Sequence, residues 1–459
     1  MLKILQSSQQ DKLKRLLSVM LPIIGTQIAT IGMNFFDASM SGQAGAVDLA
    51  GTAIGGNIWM PVQTGINGVL MAGMPLVAHL LGAGEKDKIN IVVRHGLLLA
   101  IAFAVLVIIG GIIGLPLLLT HMGLEPEVYH VAIWYMAGIG FGVLPFFLVT
   151  PLRCLVDTLG YTGLTMKIYM LALPINAALN YVLIFGKLGL PRLGGIGAGV
   201  ATGITFWLLL GMFVMTLKKV GAFSAYQVLG LTKPQQERVR EYLTIGIPMG
   251  VSIFMESSIF GVVALFVAKF GTNVIAAHQA ALNFSSLIYM IPLSFSLALT
   301  IVIGVEAGAK RWQDAKDYTV LGLELSMVCA LVYISGEYFN RQLIAQIYSS
   351  SSEIMSLTVH FLIYAVLWQF FDAVAAPIQG VLRGYKDVNA TFWSGMIAYW
   401  GICLPFGIFF DFVLEHGPFA YWQSLVIGVA FSAAFLSCRL LCCRRSCAKQ
   451  RKGDEKCRT

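Results

Sequence analysis

Three acidic side chains lie deep inside apolar stretches of this 459-residue chain. They are Asp37 in "IGMNFFDASM", Glu256 in "SIFMESSIFG" and Asp372 in "LWQFFDAVAAP". A carboxylate within a lipid bilayer is energetically costly, and such residues usually have a function there. Most of the other 20 acidic residues fall in short loops or near the ends of apolar segments. The three carboxylates therefore predict a polar functional site within a membrane.

The two carboxylates of the second half could act together. Glu256 lies about 14 residues, or roughly 21 Å, inside its apolar segment, and Asp372 lies about 16 residues inside another. Such a pair suits Na⁺, which prefers oxygen ligands, or it could carry one proton. A pair neutralised within helix packing is the third interpretation. The sequence predicts no Lys or Arg at comparable depth, which counts against that third interpretation.

Asp37 is predicted to lie near neutral polar residues and not near a second carboxylate. Asn176 and Asn180 are four residues apart and therefore share one face of a helix, and Thr202 follows in the next apolar segment. The four side chains would form a polar pocket if their helices meet, although Asn and Thr also serve simply to bond neighbouring membrane helices. His278 in "IAAHQAALNF" is a candidate proton relay, with polar helix packing as the alternative.

The composition predicts an all-α integral membrane protein without a soluble domain. Hydrophobic residues make up 57% of the chain and charged residues only 12%, against about 25% charged in an ordinary soluble domain. Apolar segments of roughly 20 residues span a bilayer, and they must be helical because lipid offers their backbone no hydrogen bonds. Twelve spans are predicted near residues 16–39, 47–80, 92–120, 129–156, 164–186, 194–217, 241–269, 274–306, 317–337, 356–382, 389–410 and 419–441.

The basic residues predict the orientation. With both termini and the even-to-odd loops on one side, only four of the 31 basic residues fall on the other side, and 27 remain. The positive-inside rule makes the basic side cytoplasmic. The four exceptions are Lys187, Arg192, Lys269 and Arg341.

The two halves resemble each other at an offset of 226 residues, which pairs Pro22 with Pro248 and Asn57 with Asn283. Six spans per half give both halves the same orientation, and such parallel repeats are related by an axis along the membrane normal. The carboxylates do not follow the repeat, which predicts different tasks for the two halves. The predicted organisation is an N-lobe over 1–217, a cytoplasmic linker over 218–240, a C-lobe over 241–441 and a basic, Cys-rich cytoplasmic tail over 442–459.

Several functions are disfavoured. The net charge of +8 follows membrane topology, so nucleic acid is not an expected partner. The chain has neither a P-loop motif nor an H-E-x-x-H motif. The sequence also shows no nucleophile paired with an activating residue, so an enzyme is not expected. No prosthetic cofactor is expected. The tail sequence "CRLLCCRRSC" lacks paired CxxC spacing, so a reduced tail is favoured over a metal site.

The chain resembles the MATE (multidrug and toxic compound extrusion) transporters, close to the bacterial NorM-like group. The resemblance covers nearly all twelve spans, and its motifs are specific only jointly. They include "NFFDASMSGQAG", "LPINAALNYVLIFGKLGLPRLGGIGAGVAT", "AAHQAALNFSS" and "GVLRGYKDVNATFW". The resemblance implies two six-helix lobes forming a V, and export of small hydrophobic cations driven by H⁺ or Na⁺. It also implies a bacterial inner-membrane protein, which we expect to be a monomer with both termini in the cytoplasm.

The resemblance also implies roles for individual residues. Asp37 falls at the family's N-lobe coupling carboxylate, with Asn176, Asn180 and Thr202 as its polar neighbours. Glu256 and Asp372 fall at the C-lobe cation site of the NorM-like group. Trp368 stands where that group often has Tyr, so this position offers a π-face but no oxygen ligand, which favours H⁺ over Na⁺. Asn180 stands where many relatives carry Asp, which reduces the charge of the N-lobe pocket.

Two other functions remain as alternatives. A lipid-linked sugar flippase of the same superfamily needs a cavity rich in Arg, which the sequence does not predict. An ion channel belongs to a different class, and a duplicated scaffold with unequal carboxylates suits a transporter better.

Overall fold

The computed structural model describes residues 9–224, 226–230 and 233–456, with the backbone alone for 224 and 443–456. Twelve described helical segments are long and apolar enough to cross a membrane, which confirms the predicted number of spans. Helices are the expected solution because each satisfies its backbone hydrogen bonds within its own segment. The tail cysteines after Cys442 lie outside the described side chains, as does the metal site considered for them.

The first half contains six candidate spans, and the second of them consists of two consecutive helices. The chain turns briefly after Leu70 before the helix resumes at Gly73. The helices are α1 (Gln9–Ala44), α2 (Ala46–Leu70), α3 (Gly73–Ala83), α4 (Lys86–His121), α5 (Pro126–Thr158), α6 (Thr162–Phe185), α7 (Gly195–Lys219) and the short α8 (Gly221–Ser224).

The second half also contains six candidate spans. A π-helical stretch, Met396–Cys403, joins two helices within the eleventh span, and a single 3₁₀ turn, Gly417–Phe419, precedes the last. The helices are α9 (Gln236–Ala268), α10 (Thr272–Gly308), α11 (Trp312–Tyr348), α12 (Ser352–Gly384), α13 (Val388–Gly395), α14 (Leu404–Phe412) and α15 (Ala420–Lys456).

One helix is much longer than its predicted span. The sequence predicts a ninth span over 317–337, whereas α11 continues to Tyr348. The added segment, "YFNRQLIAQIY", mixes polar and apolar residues, so its hydropathy is too low for a span although it contains no Gly or Pro to end the helix. Hydropathy therefore reports the lipid-facing part of a helix and not its full length.

The chain divides into two compact units. The N-terminal unit runs from Leu21 to Gly250. Within it, α5 and α7 approach so closely that a Cβ at Gly199 would lie 2.3 Å from the Tyr135 carbonyl oxygen, and one at Gly203 would lie 2.4 Å from the Gly138 oxygen. Glycine removes that obstacle. The glycine-rich start of this span thus serves close helix packing.

The C-terminal unit contains the chain from Val251 onward, together with the described residues up to Met20. Here α10 and α12 run in the same direction, and a Cβ at Gly380 would lie 2.1 Å from the Ser296 carbonyl oxygen. Tyr289 precedes Ser296 by seven residues and Asp372 precedes Gly380 by eight. The close packing therefore brings Tyr289 and Asp372 to a similar level on neighbouring helices.

Candidate functional site

The N-terminal unit holds Asp37 in a network of hydrogen bonds. The Asn180 side-chain amide donates to Asp37 Oδ1 at 2.5 Å, and the Thr202 hydroxyl donates to Oδ2 at 2.7 Å. The Asn180 amide also lies 3.2 Å from Asn176 Oδ1. The structure thus brings together all four side chains that the sequence singled out in this half. They come from α1, α6 and α7, the first, fifth and sixth spans.

Two further polar groups border this network. The Asn176 amide donates to the Thr205 hydroxyl at 3.4 Å, and Tyr135 on α5 lies within electrostatic range of Asp37. Neither group was predicted from the sequence. Thr205 follows Thr202 by three residues and so shares its helix face, which was an available signal. Tyr135 is placed by the glycine packing between α5 and α7, which leaves no local sequence signal.

An open cavity of about 540 Å³ lies in the same unit. Two of its lining residues are neighbours of the network in the chain: Phe36 directly precedes Asp37, and Tyr181 directly follows Asn180. Aromatic faces attract flat organic cations, whereas two basic side chains add positive charge. The lining residues are Phe35, Phe36, Ser39, Met40, Gln43, Tyr181, Phe185, Lys187 and Arg192.

In the C-terminal unit, Glu256 and Asp372 lie within electrostatic range of each other. Glu256 on α9 accepts a hydrogen bond at 3.2 Å from the Tyr289 hydroxyl on α10. Asp372 on α12 is 2% exposed, and its buried Oδ2 has no hydrogen-bond partner in the part of the chain that the structure describes. The structure therefore brings the two predicted carboxylates into one site, in which only Glu256 has a described side-chain donor.

A buried cation corrects the expectation that no Lys or Arg lies near this pair. Arg383 occupies the last turn of α12, where the sequence places it at the membrane boundary. Its side chain is nevertheless buried and lies within electrostatic range of Glu256. A long arginine side chain can extend along a helix away from its backbone position, which sequence depth alone does not capture. The guanidinium also donates to Gln379 at 3.2 Å.

Trp368 lies beside the same pair. Its ring meets Phe260 edge-on at 5.6 Å and Tyr289 at 6.2 Å between centroids, and its Nε1 is buried without a partner. Trp368 supplies no oxygen, as the sequence predicts, but Tyr289 supplies a hydroxyl from the neighbouring helix. This role of Tyr289 is not evident from the sequence, because Tyr289 lies in a stretch of α10 that resembles ordinary lipid-facing sequence.

His278 lies in a different environment. Its Nδ1 accepts a hydrogen bond at 2.9 Å from the Trp422 indole, and its ring meets Phe361 edge-on at 5.9 Å. An apolar cluster that includes Ala277, Ala281 and Phe361 surrounds it. No described hydrogen bond or ring contact joins His278 to Glu256 or Asp372, so this geometry favours the packing interpretation over the relay.

The described residues contain no group of three or more His, Cys, Asp and Glu side chains that could hold a metal ion. Glu256 and Asp372, with the Tyr289 hydroxyl, are the oxygen ligands that the C-terminal site could offer to a monovalent cation. The arrangement is suited to binding and releasing a small ion within a membrane.

Twelve candidate membrane helices, with a carboxylate site in each of two compact units, define a membrane transporter. Two segments match the MatE family, residues 22–182 and 248–409. The chain belongs to this family. The segments begin 226 residues apart, at Pro22 and Pro248, which confirms the internal repeat that the sequence predicts.

Relatives with the name "Probable multidrug resistance protein NorM" align over nearly the whole chain. The protein of Halalkalibacterium halodurans is 47% identical over 94% of both chains. That of Bacillus subtilis is 43% identical over 94% of this chain and 96% of its own. Among solved structures, the eukaryotic MATE transporter AtDTX14 matches with a TM-score of 0.86 at 20% identity, over 97% of this chain and 99% of that one. At this identity the likeness shows the fold, all-helical with twelve spans.

Proposed function

We propose that this chain is a secondary antiporter that exports small hydrophobic cations from a bacterial cell in exchange for protons. The relatives' name supports drug-like substrates. The aromatic lining of the cavity beside the Asp37 network supports flat, apolar compounds, whose positive charge the aromatic faces would attract against the opposing charge of Lys187 and Arg192. The charge distribution supports an inner-membrane protein with both termini in the cytoplasm. We expect it to work as a monomer.

One observation carries this proposal: each unit encloses its own carboxylate site, and the two sites are built differently. A passive pore needs no second buried acid of different design, whereas an antiporter must exchange an ion for a substrate. Buried acids inside a membrane are typical of proton and ion pathways.

Asp37 is suited to link protonation to a change in structure. Both of its carboxylate oxygens accept hydrogen bonds, from Asn180 and Thr202. A proton on Asp37 would turn one acceptor into a donor, and the bond to that oxygen would have to break or reverse. The network therefore differs between the charged and neutral states of Asp37, which is what coupling requires.

In the C-terminal unit we assign the proton to Asp372. Glu256 lies within electrostatic range of Arg383 and accepts from Tyr289, so its negative charge is balanced. Asp372 has one buried oxygen without a partner and no described cation as a hydrogen-bond partner. Neutralisation by a proton is the simplest way to keep such a carboxyl in an apolar site.

Na⁺ is a second candidate, and a specific contact favours it. The Tyr289 hydroxyl and the Glu256 carboxylate are 3.2 Å apart, so two oxygens of the kind that Na⁺ prefers already converge. The missing hydroxyl at Trp368 therefore no longer argues against Na⁺. The nearby positive charge of Arg383 argues the other way, since it repels a second cation.

The decisive experiment is transport by purified protein in liposomes. Ethidium movement is followed under an imposed pH gradient alone and then under a Na⁺ gradient alone. We expect saturable ethidium transport that depends on the pH gradient and stops when the gradient is collapsed. Transport driven only by Na⁺ would replace the proton with Na⁺. Ion flux without drug, linear with driving force, would instead indicate a channel.

A broad drug panel completes this test, in cells that lack their own efflux pumps. Unchanged accumulation of ethidium and other lipophilic cations, despite good membrane expression, would contradict the proposed substrate class. A flippase should instead translocate a lipid-linked pyrophosphate sugar in the same liposomes.

A further inference from the structure

Another buried acid of the C-terminal unit lies on α11. Glu337 is 2% exposed, and neither of its carboxylate oxygens has a hydrogen-bond partner of normal geometry among the described residues. The sequence gives no sign of its burial, because Glu337 stands at the predicted end of the ninth span. The helix continues for eleven more residues, about 16 Å, to Tyr348. Glu337 is therefore enclosed well inside the helix bundle and not at its edge.

Gln369 on α12 faces Glu337, and its side-chain amide lies beside the carboxylate. Gln369 is itself 2% exposed, and its own oxygen and nitrogen also lack hydrogen bonds of normal geometry. Buried polar atoms are nearly always satisfied by protein or by ordered water. Four such atoms on two facing side chains therefore define a polar site between α11 and α12.

This polar site connects to the carboxylate pair. Gln369 precedes Asp372 by three residues and so lies on the same side of α12. Tyr333 precedes Glu337 by four residues on α11, and it lies within electrostatic range of both Asp372 and Glu337. Trp368 Nε1 and Asp372 Oδ2 add two more buried polar atoms without partners. A row of polar groups thus runs from Asp372 toward Glu337.

The row leads to one end of the bundle. Asp372 lies 20 residues, about 30 Å of helix, from the beginning of α12 at Ser352. Glu337 lies about half as far from the adjoining end of α11. The loop between these two helix ends lies on the side of the membrane that the basic residues predict to be external.

No described cation neutralises Glu337. Arg341 lies one turn later on α11, but its guanidinium donates to the Tyr338 carbonyl at 2.7 Å and stacks over the Tyr338 ring at 4.4 Å. Gln369, facing from α12, is neutral. The helices α10 and α15 also pack on α11, and their described side chains place no charge within electrostatic range of Glu337. Tyr333 is the titratable neighbour.

We propose that Glu337 is a further proton-transfer residue, which exchanges protons between Asp372 and the outer end of α11. The step breaks an O–H bond at Asp372 and forms one at Glu337, and ordered water with the Tyr333 hydroxyl passes the proton between them without a net change. Glu337 then releases the proton toward Tyr348. Gln369, whose amide lies beside the carboxyl, is a positioning residue. This inference rests on the proposed proton antiport.

The test uses the full-length protein in liposomes, with ethidium transport and internal pH measured together. Glu337→Gln should slow transport driven by a pH gradient by about tenfold or more, because Gln cannot carry a proton. Ethidium binding at equilibrium should stay within about twofold of wild type, since Glu337 does not touch the proposed drug cavity. Glu337→Asp should restore most of the transport rate. Glu324→Gln, which alters an exposed carboxylate of the same helix, is the matched control and should behave as wild type.

Each other outcome decides the matter. If the wild-type protein transports ethidium and Glu337→Gln does so at the same rate, the relay is overturned and the proposed antiport is unaffected. If the wild-type protein transports no ethidium under either gradient, the proposed function and the relay are both overturned. If only a Na⁺ gradient drives its transport, Na⁺ replaces the proton as the coupling ion and the relay alone is overturned. If Glu337→Gln loses its cooperative melting transition, Glu337→Asp decides: a displaced pH dependence of the transport rate supports the relay, and an unchanged one overturns it.

Discussion

The two carboxylate sites differ in how their charges are satisfied. In the N-terminal unit, Asp37 stands alone among neutral partners, and both of its oxygens accept hydrogen bonds from Asn180 and Thr202. In the C-terminal unit, Glu256 has a hydroxyl donor and a nearby guanidinium, while one oxygen of Asp372 has no partner. One site is held by hydrogen bonds, and the other depends on the balance of several charges.

This difference shows what a duplicated membrane scaffold can do. The repeat places six apolar helices in each half, and its geometry does not dictate the chemistry inside. A neutral network suits a group whose protonation rearranges local hydrogen bonds. A set of interacting charges suits a group whose proton is governed by its neighbours. We expect the two sites to respond differently to substitution.

The largest effect is expected at Asp37. Asp37→Asn keeps the shape but replaces one accepting oxygen with a donor and removes the charge, so ion-driven export should fall by about 100-fold or more. Folding should be retained, because the neutral amide costs less to bury than the acid. Ethidium efflux and thermal melting check this. Glu127→Gln, at an exposed position of α5, is the control. Efflux at the wild-type rate would show that Asp37 is a structural residue and that the N-terminal site takes no part in coupling.

A smaller effect should show that Glu256 and Arg383 act as a unit. Each single variant, Glu256→Gln and Arg383→Gln, leaves a buried charge without its counterpart, whereas the double variant removes both charges. The double-mutant cycle should therefore give a coupling of about 1 kcal/mol in unfolding free energy. Melting in denaturant measures it. Additive single effects would show that the two charges do not sense each other.

Tyr289→Phe should distinguish H⁺ from Na⁺ as the coupling ion. Loss of one hydrogen bond to Glu256 should slow proton-driven transport only about threefold to tenfold. If Na⁺ is the coupling ion, the same variant removes an oxygen ligand and should weaken Na⁺ dependence far more. Transport at graded Na⁺ concentrations and fixed pH separates these results. Tyr338→Phe, at an exposed ring of α11, serves as the control.

The smallest effect on transport is expected at His278. His278→Leu leaves the buried Trp422 N–H without an acceptor, which should lower the unfolding free energy by about 1–3 kcal/mol. Transport per folded molecule should stay near the wild-type rate, because the ring lies in an apolar cluster. Loss of pH-driven transport with unchanged melting would instead restore His278 as a proton relay.

Much of the architecture could be predicted. The twelve spans and the repeat follow from hydropathy and from prolines at matching places, since lipid allows few alternatives to the helix. The Asp37 network was also predictable, because Asn176 and Asn180 share a helix face by spacing alone. Glu337 was not predictable, since hydropathy ends the span where the helix continues.

Local sequence was sufficient for helix number, for the internal repeat and for the three carboxylates, because burying a charge in lipid costs enough to make each one conspicuous. The partners of those carboxylates were decided only in three dimensions. Tyr289 lies beside Trp368 and at the level of Asp372 because α10 and α12 pack backbone to backbone at Gly380. Arg383 reaches the pair because its long side chain is buried beside it. Charges interact through space at distances that no sequence separation records, so the tertiary structure alone determines which buried acid has a partner and which is left to bind an ion.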